Sequence, residues 1–72
     1  MNNSGKMIHK PYRRFKGFMR EQGITLRDIA ELLGVYISTV SAKINGKSDF
    51  YINEADIIIK RYGCSSNIFF DE

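Results

Sequence analysis

The side chains of this chain best suited to chemistry are cations, and they are unevenly spaced. Lys6, Lys10, Arg13, Arg14, Lys16 and Arg20 all fall within the first 20 residues, with no acid among them, so that segment carries +6. Residues 21–72 hold five bases and eight acids and carry −3, which leaves a formal net charge of +3. Concentrated positive charge attracts a polyanion over distances longer than a contact, and nucleic acid is the commonest such partner. The plain alternative is a solvated basic tail with no partner.

Covalent and acid–base chemistry has no comparable support. His9 stands alone in a polar segment, Cys64 is the one cysteine, and the carboxylates are scattered. No base, nucleophile and orienting group share a workable spacing, so no catalytic residue is expected. A glycine-rich phosphate loop and a His/Cys ligand set are also missing. The sequence therefore predicts no cofactor, no metal and no small-molecule ligand. A lone cysteine forms no internal disulfide and fits a reduced, cytoplasmic setting; Cys64 itself is expected to be a small, buried or half-buried apolar residue. No apolar run approaches the ~20 residues of a membrane span, and the N-terminus lacks the apolar block of a signal peptide.

The elements that must position these side chains are short helices. With 72 residues the chain makes one domain, near the lower limit of independent stability. Residues 1–10 are polar and aperiodic and read as a flexible basic arm in which His9 has no partner; Met7 offers a second start site. Residues 11–72 form the folded domain. Pro11 suits a helix start, and Tyr12, Phe15, Phe18 and Met19 recur at helical spacing until Gly23 ends the run. Thr25 is the expected N-cap of a second helix, with Asp28 in capping-box position and Leu26, Ile29, Ala30 and Leu33 inward. Gly34 breaks it. A third helix runs from near Tyr36 to about Ile44, and Asn45-Gly46 turns the chain. A fourth is capped by Asn53, has Ile52, Ala55, Ile58, Ile59 and Tyr62 as its inner face, and stops at Gly63. Ser65 or Ser66 starts a fifth, short helical segment with Ile68, Phe69 and Phe70; one of the two phenylalanines closes the core and the other is free for a dimer contact. The expectation is a compact all-α domain of five helices.

Residues 25–47, TLRDIAELLGVYISTVSAKINGK, carry the sharpest pattern. Two helices cross closely only where a small residue such as Ala30 lets their backbones approach. Gly34, four residues on, takes the positive φ of a tight turn. Val35 and Val40 pack the later helix back onto the earlier one. This is the layout of a helix-turn-helix, which presents its second helix on the surface.

The stretch resembles the helix-turn-helix of phage Cro and repressor proteins, and the resemblance extends over about residues 12–70. Ala30 matches the small crossing residue of that family, Gly34 its turn glycine, and Asn45-Gly46 its exit. The resemblance implies a lambda-repressor-like DNA-binding domain in a bacterial cell, associated with the nucleoid. It would regulate transcription as a homodimer on a double-stranded operator, with the third helix in the major groove. By position, Tyr36, Ile37, Ser38, Ser41 and Ala42 are the implied base contacts. Thr25, Arg27, Lys43, Asn45 and Lys47 are the implied phosphate contacts, Thr25 at a helix N-terminus. Two departures stand out: Leu26 replaces a frequent Gln, and Lys43 replaces a residue that is usually apolar. The third helix holds no Arg, Gln or Asn for bidentate base contacts, so specificity leans on Tyr36, the arm and DNA shape.

Other roles compete at these positions. Ile37 lies one turn before Val40 and can be core, Tyr36 can pack over the turn, Ser38 can support the helix start, and Lys43 and Lys47 can be solvated charges. At the level of function, the rival from another class is a protein-interaction module on the same fold, an antitoxin or adaptor. A further rival is a nucleic-acid-binding accessory protein without sequence preference.

Overall fold

Capping residues and glycines mark out the helices. In the computed structural model, which describes residues 6–70, the order is α1 (Arg13–Gln22), α2 (Leu26–Leu33), α3 (Ile37–Ile44) and α4 (Ile52–Tyr62), then a 3-10 turn at Ser66–Phe69. The domain is small, compact and all-α, with no strand among the described residues. Among the described residues there are four α-helices, not five. Ser65 caps the last segment as expected, its Oγ accepting from the Asn67 N–H at 3.2 Å. The segment nevertheless closes i to i+3 bonds, Ile68 N–H to Ser65 O at 3.0 Å and Phe70 N–H to Asn67 O at 2.9 Å. Such bonds crowd the side chains and rarely extend beyond a few residues.

The start of α2 is the capping box that the sequence predicts. The Asp28 N–H donates to Thr25 Oγ1 at 3.1 Å, and the Thr25 N–H donates to Asp28 Oδ2 at 2.8 Å. These bonds hold the Asp28 carboxyl below its ordinary range. A depressed carboxyl stabilises the fold only while ionised, so this contribution is present at neutral pH and is lost as pH falls through the carboxylate range. Thr25→Ala is expected to cost about 1 kcal/mol. In thermal unfolding that is a fall in Tm of roughly 4–8 °C.

The turn from α2 to α3 depends on Gly34, at φ 72°. Its N–H and that of Val35 both donate to the Ala30 carbonyl, at 2.8 and 3.0 Å, which closes the helix and turns the chain at once. The left-handed conformation costs a residue with a side chain about 1 kcal/mol or more. α2 packs mainly on α3, and also on α4.

Phe15, Ile29, Val40, Ile44 and Ile58 are fully buried, with Met19 and Ala30 completing the core. Phe69 seals one end: its ring lies 5.0 Å from that of Phe15 and meets Phe50 and Tyr12 edge-on at 5.6 and 5.4 Å. Phe70 is exposed, which resolves the choice between the two. Cys64 is half-buried, and burial pushes its thiol up, away from the reactive thiolate.

α4 departs from expectation at its start. Its N-cap is Tyr51, whose N–H donates to Glu54 Oε1 at 3.0 Å, so Asn53 lies within the first turn and is not the cap. Its buried residues are Glu54 and Ile58, and Ala55, Ile59 and Tyr62, expected inside, are half-buried beside them. Ile52, expected inside, is 90% exposed. At 100° per residue it lies about 120° around the helix from Ile58, at the helix's first residue.

The arm departs as well. Residues 1–5 lie outside the described residues. Beyond them, the Ile8 N–H donates to the Gly46 carbonyl at 2.6 Å, and the Tyr12 N–H to the Ile44 carbonyl at 2.9 Å. His9, expected to lack partners, has its ring 4.4 Å from that of Tyr12 and its Nε2 2.7 Å from the Ser48 carbonyl. The described part of the arm is therefore docked rather than free. Among the described residues, no helix is long and apolar enough to cross a membrane.

Candidate functional site

Helical periodicity divides α3 into two faces. Val40, Lys43 and Ile44 point inward and are buried. Ser38, Ser41, Ala42 and Asn45, at spacings of three and four, share the outer face. Two shallow surface depressions meet there at Ser38. One is lined by Arg27, Glu31, Val35, Tyr36 and Ile37, with Ala30 and Gly34 at its floor. The other is lined by Ser41, Ala42, Asn45 and Lys47, with Met7 and Pro11 from the arm. Eight of the ten residues implied by the sequence thus fall on one continuous strip. Tyr36 is 81% exposed and Ile37 40%, so neither is core. Thr25 is exposed at the N-cap of α2, off the two depressions.

Lys43 is not on the strip, and its place among the phosphate contacts is corrected. It is 7% exposed, and its Nζ donates to Glu54 Oε1 at 2.6 Å. The ammonium also lies over the Tyr51 ring, 4.6 Å from its centre. It points inward at the position where the resemblance expects an apolar side chain, and it meets an acid that makes that burial tolerable. The register of α3 is thereby settled: inward at 40, 43 and 44, outward at 38, 41, 42 and 45.

Two other implied contacts are present but partly committed. The Asn45 Nδ2 donates to the Ser41 carbonyl at 2.9 Å and lies 3.3 Å from the Ser41 Oγ. It caps α3 and holds the Ser41 hydroxyl, so its amide protons point back into the protein. Thr25 has already given its N–H to Asp28, and an ionised carboxylate sits at that helix end. What Thr25 presents outward is its hydroxyl.

The structure also brings in residues that the sequence did not single out as contacts. Lys16 and Arg20 of α1 line a third depression with Leu26 and Asn45, at the edge of the strip. Leu26, in place of a polar side chain, is half-buried there. Met7 and Pro11 line one depression with outer-face residues of α3 that are 27 or more residues away in the chain. Helical spacing shows that Lys16 and Arg20 share a face, but nothing local in the sequence says which element that face meets. Comparison with family models, with curated proteins and with solved structures finds no match for this chain.

Proposed function

We propose that the chain is a sequence-specific, double-stranded-DNA-binding transcriptional regulator of the Cro/repressor helix-turn-helix kind. In this reading α2 and α3 are the helix-turn-helix of a lambda-repressor-like domain, and α3 enters the major groove. The supporting observation is the strip itself: a helix that follows the Gly34 turn and carries only small side chains on its outer face, Ser38, Ser41, Ala42 and Asn45, with exposed residues at its leading end. Small side chains let a helix approach base edges closely. Ile37 and Ala42 suit thymine methyls, while Ser38 and Ser41 donate or accept without strong discrimination. Arg27 and Lys47 flank the strip, and Lys16 and Arg20 extend the positive edge, which suits the phosphates on either side of a groove. Two copies on a palindromic operator would match half-sites one helical turn apart. Such a protein works in the bacterial cytoplasm, on the nucleoid.

The test is selection of bound fragments from a random duplex pool, followed by titration of the selected duplex and a scrambled one against salt. Preference for one sequence with steep salt dependence is expected. Equal affinity for all sequences would leave only a non-specific accessory role, and no binding at low salt would end the DNA reading. Lys47→Ala should lower the slope of log K against log salt by about one unit and weaken all sequences alike, as loss of one phosphate contact does.

One observation favours a second reading. The leading end of α3 is apolar, with Tyr36 and Ile37 exposed, and Glu31 adds an acid beside Arg27. A protein partner of an antitoxin or adaptor would accept such a surface. Under that reading the selection returns no preferred duplex.

A further inference from the structure

Both nitrogens of the His9 ring face acceptors. Nδ1 lies 2.7 Å from the Lys10 carbonyl oxygen and Nε2 lies 2.7 Å from that of Ser48. A carbonyl oxygen only accepts, and a neutral imidazole has one N–H and one lone pair. In the neutral ring, one of these contacts would set lone pair against lone pair. The imidazolium donates to both. The surrounding groups suit that cation. Asp49 Oδ1 is 3.5 Å from Nε2. The Tyr12 ring stacks on His9, and its hydroxyl donates to Asp49; burial and that carboxylate push the phenol up, so it stays a donor. Phe69 and Phe70 bring no charge to the depression around the ring, and Lys10 is exposed at its rim.

The ring holds the arm in one place. The Ile8 N–H donates to the Gly46 carbonyl, and a Cβ on Gly46 would lie 2.1 Å from the His9 carbonyl oxygen. Only glycine lets the arm pass there. On that path Met7 lines one depression together with Ser38, Ser41 and Ala42.

We propose that His9, as an imidazolium, latches the N-terminal arm onto the loop between α3 and α4, and that the latch adds Met7 to the face of α3 that meets DNA. The second half rests on the functional reading above. Met7 supplies a flexible, polarisable contact suited to apolar base edges.

The test uses the whole chain, in which His9 is the sole histidine. Without DNA, nitrogen NMR of the ring and exchange protection of the Ile8 amide are measured at one fixed pH near neutrality. Two protonated ring nitrogens and a protected Ile8 amide are expected. His9→Phe keeps a ring for Tyr12 to stack on and loses both donors; its Ile8 protection should be lower by about 10-fold or more. A single ring N–H with Ile8 fully protected, or equal protection in His9→Phe, overturns the latch. Met7→Glu is then titrated with the duplex selected by the wild-type chain. A loss of about 10-fold or more is expected with the arm latched, shrinking in the His9→Phe background. No loss, or the same loss in both backgrounds, overturns the role of Met7. If the wild-type chain selects no duplex, the functional reading fails and the role of Met7 with it, while the ring and exchange data decide the latch on their own.

Discussion

Replacing Ser38 and Ser41 together by Glu is expected to abolish operator binding and leave the fold intact. Both side chains lie on the outer face of α3, one in the first turn and one a turn later. Neither is buried, so the longer side chains have room. Glu is a better helix former than Ser. The first turn of α3 holds no acid, so the carboxylate introduced by Ser38→Glu also meets a favourable helix dipole. The folded state therefore loses only the contact between Asn45 and the Ser41 Oγ, while the Asn45 bond to the Ser41 carbonyl remains. On DNA the balance is different. Two carboxylates would enter a groove walled by phosphates, with like-charge costs of about 2 kcal/mol or more each, a loss of roughly 1,000-fold. Circular dichroism and Tm should match the wild type while gel shift and anisotropy lose the complex. Unchanged affinity in a folded double mutant would show that α3 is not the reader.

What could be read from the sequence was local. The capping box of Thr25 and Asp28, the Gly34 turn and the stop at Gly63 each depend on residues within one turn of helix, and all appear where expected. The same holds for the outer face of α3, because residues at spacings of three and four share a face in any helix. The misses are matters of what faces what. Lys43 has its partner 11 residues away across the α3–α4 loop, and His9 has Ser48 and Asp49 some 40 residues away. Periodicity carries no information about such pairings. Ile52 shares helical spacing with Ala55 and Ile59, but it is the first residue of α4 and lies well around the helix from Ile58. The last segment has a sound cap in Ser65 but closes only i to i+3 bonds and gives way to extended backbone at Phe70. The candidate site is thus half legible: its face is written in helical spacing, whereas its flanks, Met7 on one side and Lys16 and Arg20 on the other, come from tertiary packing.

Lys43→Met is expected to be the most destabilising of these substitutions and to leave DNA recognition alone. The Lys43 ammonium and the Glu54 carboxylate are both buried, 2.6 Å apart, and the same carboxylate oxygen accepts the Tyr51 N–H that starts α4. Removing the lysine leaves a buried charge without a counterion, a loss of about 3–5 kcal/mol. A domain of this size has only about 4–11 kcal/mol in total, at the usual stability per residue. Tm should therefore fall by roughly 12 °C or more. Adding Glu54→Gln removes the stranded charge and keeps an oxygen for the Tyr51 N–H. The double mutant should regain at least half of the lost Tm, since a buried ion pair is worth far less than the cost of breaking it from one side. That recovery separates a structural pair from a surface lysine, whose loss would matter little to stability and would not be rescued at position 54. The DNA readout separates them again. At a temperature where the single mutant is fully folded, its salt slope should equal that of the wild type, whereas a slope lower by about one would put Lys43 on a phosphate after all.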